Sequence, residues 1–512
     1  MIYLDQNIDL YNNDIRVMLQ AFFDNEKVVE KEEGTRLTLQ AEFTYDTDVE
    51  VPVMQKGGYV TFTLSDEDGY EAGRTVVIDF MNKLLARNPI KGKLYEMLSE
   101  YTGKKLPWGS LTGVRPTKIA TECLEHGKTE DEIKKLYTDV YLATEQKADI
   151  CIEVAKKEQE LFADFDYDNE YCIYVGVPFC PTRCLYCSFT SYPIAAYMDK
   201  KKEDSSGGDK KRNTGKDGYT VGDYLDALFR EMDAVAKNKV YRDKRLVAIY
   251  VGGGTPSALS AEQLRALIEH LKNAFDMRYV REFCVECGRP DSITEDKLNV
   301  LRELGVERIS INPQTMSDET LKLIGRAHTV EQTKEAFKLA RKAGFTNINM
   351  DMIVGLPGEE LSDVIHTLSE IEKLKPDSLT VHSLAIKRAA NLNIEMEKYH
   401  SLIKGSTNEM LMAVDECARR LNLEPYYLYR QKNIPGKLEN IGYAAVGKEC
   451  LYNVLIMEEK LDIIAMGAGA SSKFIFRKEG RIERVENVKN VDQYIDRVDE
   501  MIERKQRMFE AF

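Results

Sequence analysis

The chain has 512 residues, 43% hydrophobic and 30% charged, with 71 Lys and Arg against 85 Asp and Glu, for a net charge of −14. That length asks for two or three domains, and the composition is that of a soluble globular protein. The negative balance excludes a general nucleic-acid or anionic-membrane binder, so any polyanionic ligand needs a local basic pocket.

The N-terminus, "MIYLDQNIDLYNN", lacks the basic-then-apolar pattern of a signal peptide, and no apolar run is long enough to span a bilayer. The expected location is cytoplasmic. "RLTLQAEFTY" alternates Leu37, Leu39, Ala41 and Phe43 on one face, and "YVTFTL" does the same with Val60, Phe62 and Leu64, so both predict strands. "VVIDFMNKLLARN" (76–88) reads as an amphipathic helix. "WGSLTGVRPTK" (108–118) is turn-rich, carries the single tryptophan, Trp108, and the basic pair Arg115 and Lys118, and has Pro116 where a helix would begin. It reads as a packing hinge, with a substrate or partner contact as the alternative. Helices with charged faces follow, completing an N-terminal α+β and helical domain over 1–165.

From Tyr171 the texture changes. Six strand-like runs, "YCIYVGV", "RLVAIYV", "REFCVEC", "VERISIN", "TNINMDMI" and "SLTVHSL", alternate with helical stretches. One helix is capped by Ser260 with Gln263 and buries Leu264, Leu267, Ile268 and Leu271; another runs from Thr329 with Gln332 to Gly344. Alternation of this kind predicts an α/β fold with a parallel sheet or barrel over 166–400, with fewer repeats than a closed eight-stranded barrel. "KKKEDSSGGDKKRNTGKDG" (200–218) has no apolar residue and reads as a mobile surface loop. The region 401–512 adds the helix "NEMLMAVDECARRLNL", the strand-like "YYLYRQ", the apolar run "LDIIAMGAGASS" and a terminal amphipathic helix.

In parallel α/β folds ligands bind at the C-terminal ends of the strands. Here the first strand is followed by "FCPTRCLYC", with Cys180, Cys184 and Cys187. The second is followed by "GGGTP" (252–256), and the third ends at Glu286. The fourth ends with Asn312 and Gln314, the fifth carries Asp351, and the sixth carries His382 and Ser383. Polar or glycine-rich ends on all six strands point to one shared pocket. Ten cysteines in a cytosolic chain are expected to be free, metal-bound or catalytic rather than disulfide-bonded. Six histidines, none at metal-ligand spacing, argue against a His-rich zinc hydrolase. Three thiolates at CxxxCxxC spacing suit three irons of a [4Fe–4S] cube, leaving one iron open; a zinc site completed by Cys172 or by Cys284 and Cys287 is the alternative. Cys284 and Cys287 read otherwise as ordinary strand residues.

Taken together, "YVGVPFCPTRCLYC", "YVGGGTP", "VECGRP", "RISINPQT" and "MDMIVGLPG" resemble a radical S-adenosylmethionine (SAM) enzyme, and more narrowly the oxygen-independent coproporphyrinogen III oxidase family. "WGSLTGVRPTK", "YYLYRQKN" and "LENIGY" resemble its longer HemZ branch. The resemblance implies a partial (β/α)₆ radical SAM barrel with an N-terminal α+β domain and a C-terminal α/β extension. It implies a [4Fe–4S] cluster on Cys180, Cys184 and Cys187. SAM would be contacted by Tyr174, Tyr186, Gly253, Gly254, Thr255, Glu286, Gln314, Arg326 and Asp351. The implied reaction is the oxidative decarboxylation of two propionates of coproporphyrinogen III, with electrons from a flavodoxin or ferredoxin. Lys387, Arg388, Arg430 and Lys432 are expected to meet the substrate carboxylates. Three positions depart from the family. Phe189 stands where well-known members have a fourth cysteine, and Gly176 stands where they have a histidine. Related haem chaperones share the phenylalanine, but their C-terminal "HNxxYW" corresponds here to "YNVLIM" (452–457), without the histidine. A haem chaperone-like protein that binds haem and SAM without decarboxylation is therefore the alternative function.

Overall fold

The computed structural model describes residues 1–23, 26–30, 34–45, 57–80, 82–198, 218–387, 390–431 and 438–511. The loop expected over 200–218, Arg388 and Lys432 thus lie outside the described residues, save Gly218. The chain divides into two compact units, 1–157 with 428–439, and 158–427 with 440–512. No break falls at 400: strands after that point join the sheet of the second unit, and residues 428–439 go with the first.

The first unit is built on a five-stranded sheet. Its strands are β1 (Ile2–Gln6), β2 (Val28–Val29), β3 (Leu37–Tyr45), β4 (Gly57–Asp66) and β5 (Glu71–Asp79), in the order β2-β1-β3-β4-β5. The period-2 positions Leu37, Leu39, Ala41 and Phe43 face Val60, Phe62 and Leu64 in one core. The helices Asn12–Phe22 and Lys83–Thr102 cover it with Ile15, Met18, Leu19, Ile90, Leu94 and Leu98. The helix expected from Val76 starts only at Lys83. Residues 76–79 end β5 and pair with β4, with Ile78 buried and Val77 79% exposed, as the period of a strand requires.

The second unit holds an eleven-stranded sheet and a short ribbon. The ribbon pairs β7 (Phe179–Cys180) with β8 (Tyr192–Pro193). The six expected strands are β6 (Glu170–Val177), β9 (Arg245–Gly253), β10 (Glu282–Glu286), β11 (Arg308–Ser310), β12 (Ile348–Val354) and β13 (Ser378–Ser383). They lie side by side in chain order and all are parallel. A strand order that never reverses, with right-handed crossovers, keeps the helices on one face and curls the sheet. This is the partial (β/α)₆ barrel. Ser260 and Thr329 cap their helices with the expected boxes, and Leu264, Leu267, Ile268 and Leu271 are buried.

Beyond β13 the sheet continues antiparallel through β15 (Glu439–Ala444) to β14 (Glu424–Arg430). On the other side β16 (Asp462–Met466) lies parallel to β6, followed by β17 (Ser471–Phe476) and β18 (Arg481–Glu486). The apolar run "LDIIAM" is therefore a seventh parallel strand. Among the described residues, no helix is long and apolar enough to cross a membrane.

Candidate active site

The cysteine loop leaves β6 at Val177 and docks on the glycine turn that ends β9. The Gly254 amide donates to the Val177 carbonyl and the Thr255 amide to the Phe179 carbonyl, each at 2.7 Å. A Cβ on Gly254 would sit 2.6 Å from the Phe179 carbonyl oxygen, and Gly253 has φ +109°, so glycine is required at both places. Cys180 Sγ lies 3.4 Å from Thr255 Oγ1. The far end of the loop is tied by the Leu185 amide to the Ile324 carbonyl (2.9 Å) and by the Leu392 amide to the Leu185 carbonyl (2.8 Å). From below, the guanidinium of Arg289 donates to Thr182 O (3.1 Å) and Thr182 Oγ1 (3.1 Å) and reaches Cys184 Sγ at 3.7 Å.

Cys180 and Cys184 are buried and Cys187 is half-buried. Burial pushes the Cys180 thiol up to about 11 and raises Cys187 as well, with neighbouring cysteines adding to both. Such thiols give up their protons when a metal supplies the compensating charge. Among the described residues no three His, Cys, Asp or Glu side chains group closely enough to share a single ion. A cubane asks for something else, one thiolate at each of three separate irons. Cys284 sits in β10 beside Cys450, Cys287 is buried one residue past the end of that strand beside Ser257, so it is not the strand residue expected, and Cys172 lies near the start of β6.

Next to this loop the strand ends supply a polar wall. Glu286 lies against Gly252, where a Cβ would come within 3.1 Å of its carboxylate, and accepts a hydrogen bond from Tyr250 Oη. Burial raises the Glu286 carboxyl to about 7, and the charge of Asp351 adds to the rise. Tyr250, Tyr452 and Tyr174 form a triangle of near-parallel rings, with Tyr250 4.5 Å from Tyr452 and 6.2 Å from Tyr174, and Tyr174 5.9 Å from Tyr452. Asn312 Nδ2 and Asn349 Nδ2 donate to the two oxygens of Asp351 at 2.9 and 2.5 Å. Arg326 donates to the carbonyls of Asn312 and Gly288, and its charge acts on the half-buried Tyr186 beside Cys184. Gln314 is held at φ +66°, its amide on the Asp351 carbonyl at 2.9 Å. That left-handed conformation costs a non-glycine residue roughly 1–3 kcal/mol.

Several buried atoms at this end have no hydrogen-bond partner among the described residues: Ser310 Oγ, Asn312 Oδ1, Gln314 Oε1, Arg326 Nε and both ring nitrogens of His328. Burial and the nearby Arg326 hold His328 neutral, down at about 3. Each orphaned polar atom costs roughly 1–3 kcal/mol, so their concentration here fits a polar ligand such as SAM.

All the expected cluster and SAM positions therefore lie on the loops and strands at one end of the barrel. Arg289 was missed; the signal was a charged residue three positions after a strand end, inside the quoted "VECGRP". Of the expected substrate cations, Lys387 is half-buried near Cys187, 5.8 Å from the ring of Phe189. Arg430 instead belongs to the first unit, donating to the Leu111 carbonyl at 2.7 Å. Phe189 is 66% exposed. Gly176 lies within β6 beside β16, where a Cβ would come 3.4 Å from the Met466 carbonyl oxygen, an ordinary contact distance. The "YNVLIM" stretch forms the helix Leu451–Glu458, which turns Tyr452 into the barrel.

The profile of the radical SAM superfamily, whose cofactors are a [4Fe–4S] cluster and SAM, matches residues 174–371. The oxygen-independent coproporphyrinogen-III oxidase-like protein HemZ of Bacillus subtilis (strain 168) is 40% identical over 430 residues, covering 83% of this chain and 82% of its own. The haem chaperone HemW of the same organism is 34% identical over 219 residues, 42% of this chain and 50% of its own. Among solved structures, coproporphyrinogen III oxidase (HemN) from Escherichia coli, a radical SAM enzyme, is 22% identical. It aligns with 67% of this chain and 72% of its own at a TM-score of 0.47. With four-fifths of each chain aligned at 40% identity, the protein belongs to the HemZ branch of the oxygen-independent coproporphyrinogen III oxidase family, within the radical SAM superfamily.

Proposed function

We propose that the protein carries out the oxygen-independent oxidative decarboxylation of coproporphyrinogen III to protoporphyrinogen IX, in the cytoplasm, with electrons from a low-potential donor such as a flavodoxin or ferredoxin. The observation that supports this best is the docking of the cysteine loop on the glycine turn, with Cys180 Sγ 3.4 Å from Thr255 Oγ1, beside the unpartnered polar atoms of the strand ends.

In this reading Cys180, Cys184 and Cys187 hold the cluster and leave one iron for SAM. When bound, cluster and SAM would supply the one-electron chemistry for removing a hydrogen atom from a substrate propionate; loss of its carboxylate as carbon dioxide, leaving a vinyl group, would then pass one electron per propionate to an acceptor. The chain's own residues bind and orient. Gly253 and Gly254 let the backbone approach SAM, and Thr255 presents its hydroxyl. Glu286 supplies a carboxylate for the cationic part of SAM. Gln314, Arg326 and Asp351 present hydrogen-bonding groups from the next strands. Tyr174 and Tyr186 wall the site. Thr255, Gln314 and Arg326 are buried and the others half-buried, which would limit the access of water to the bound cofactor. Lys387, near Cys187, is the described cation best situated for a propionate.

A second reading, a haem chaperone-like protein that binds haem and SAM without decarboxylation, is favoured by the exposed Phe189 at the fourth-cysteine position. One experiment separates the two. The protein is reconstituted anaerobically with iron and sulfide, then given SAM, a strong reductant and coproporphyrinogen III, with products followed by mass spectrometry. Loss of two carbon dioxide units together with 5′-deoxyadenosine is the expected result. 5′-Deoxyadenosine without decarboxylation, together with tight haem binding in a titration, would favour the second reading.

A further inference from the structure

The stretch 108–118 has no part in the chemistry above. Within the first unit it walls a cavity of about 140 Å³, closed by Val17 and Ala21 of the helix Asn12–Phe22 and by Arg430. An engineered apolar cavity of roughly 150 Å³ holds benzene, so this one has room for a single ring and none for a tetrapyrrole. The turn is built for close packing: Gly109 has φ +52°, and a Cβ there would meet the Tyr141 carbonyl oxygen at 2.2 Å.

The walls are largely apolar, with the amides of Asn13, Gln20 and Gln431 among them, and one edge is cationic. Trp108 is 2% exposed, with its indole N–H donating to Glu439 at 2.7 Å. The Arg430 guanidinium lies 5.3 Å from the Trp108 ring. Thr112, which also lines the cavity, accepts from the Lys91 ammonium at 2.9 Å. The carboxylates that act on these two cations are shared with others: Asp14 bonds Arg87 at 3.0 Å, and Glu439 bonds Lys147. Burial pulls Lys91 down to about 8 and Arg430 down to about 10. An anion in the cavity would relieve both.

We propose that this cavity is a binding site for a small carboxylate with a single-ring apolar body, the ring against Trp108 and the carboxylate toward Arg430 and the Thr112–Lys91 pair. The site is independent of the radical chemistry proposed for the barrel. Trp108 is the single tryptophan of the chain, so its emission reports on this cavity alone. The test titrates the full-length, cluster-loaded protein with benzoate and with its neutral isostere benzamide, by calorimetry and by Trp108 emission. Benzoate is expected to saturate and to shift the emission, with benzamide about tenfold weaker, a difference of ~1.4 kcal/mol. Ala21→Leu, which fills the cavity and leaves both cations in place, is expected to weaken benzoate at least about tenfold with an unchanged melting temperature. Arg430→Gln is expected to weaken benzoate and not benzamide. No saturable change with benzoate, equal affinity for benzamide, or wild-type benzoate affinity in Ala21→Leu would each overturn the proposal.

Discussion

Glu282 and Arg308 begin adjacent barrel strands, and Ser310, Asn312 and Gln314 end or follow one of them; the two groups are equally buried and differently treated. At the strand starts Glu282 accepts from the amides of Leu451 and Tyr452 at 2.8 and 3.1 Å. Arg308 donates to Asn347 Oδ1, the Lys448 carbonyl and Ser378 Oγ, at 2.7, 2.7 and 2.9 Å. Asp462, which begins β16, takes Tyr241 Oη, Lys244 Nζ and the Ile475 amide. The exceptions near this end are Arg245 Nε and Tyr426 Oη. At the strand ends the orphaned atoms gather, along with the strained Gln314. A buried polar group that is fully bonded stabilises the fold; one left waiting marks where a ligand completes the structure. The barrel is thus closed by its own helix Leu451–Glu458 at one end and built for a partner at the other.

Four substitutions would break or sharpen that contrast. Cys184→Ala should have the largest effect, abolishing both the reconstituted cluster absorbance and SAM cleavage; retained SAM cleavage would remove the loop from the site. Arg308→Met, at the satisfied end, should lower stability by about 3–5 kcal/mol, as when one member of a buried charged network is removed. Urea melts would show this, while iron content per folded molecule stays that of wild type. Loss of iron without loss of stability would reverse the roles of the two ends.

Glu286 gives a pH test. A carboxyl near 7 is protonated at pH 6 and ionised at pH 8. A cationic ligand prefers the carboxylate, so SAM binding should strengthen by up to about tenfold, ~1.4 kcal/mol, across that interval. Glu286→Gln should bind weakly with no such dependence, which calorimetry at the two pH values would show. In the unliganded protein the same raised value acts on folding. Its contribution is fully present below the ordinary carboxyl value of 4.5 and is lost as pH rises through about 7. The smallest effect is expected from Gln314→Gly. Relief of the φ +66° strain offsets the added freedom of the unfolded chain, so stability should hold within about 1 kcal/mol while SAM affinity falls several-fold. A stability loss without an affinity loss would make Gln314 a structural residue.

Much of this contrast could be read from the sequence, because the signals were local. The six barrel strands, the capping boxes at Ser260 and Thr329, and the polar strand ends each rest on neighbours within a few positions. What escaped depended on distant partners. The run "LDIIAM" becomes a parallel strand only by pairing with β6, some 290 residues earlier, as in Ile464 with Ile173. Residues 428–439 join the first unit although the chain around them belongs to the second. Val76–Asp79 followed the apolar content of a helix start but took the alternation of β5, because β4 lies alongside to pair with it. Arg289 stood in a quoted motif, yet its reach to Cys184, 105 residues away, has no sequence signature.

The most direct measurement is electron paramagnetic resonance of the reconstituted, reduced protein with and without SAM. Three cysteine ligands and an open iron predict a [4Fe–4S] signal that changes when SAM is added, in wild type and not in Glu286→Gln at subsaturating SAM. A signal indifferent to saturating SAM in the wild-type protein would mean a closed, fully ligated cluster and would contradict the open-iron site.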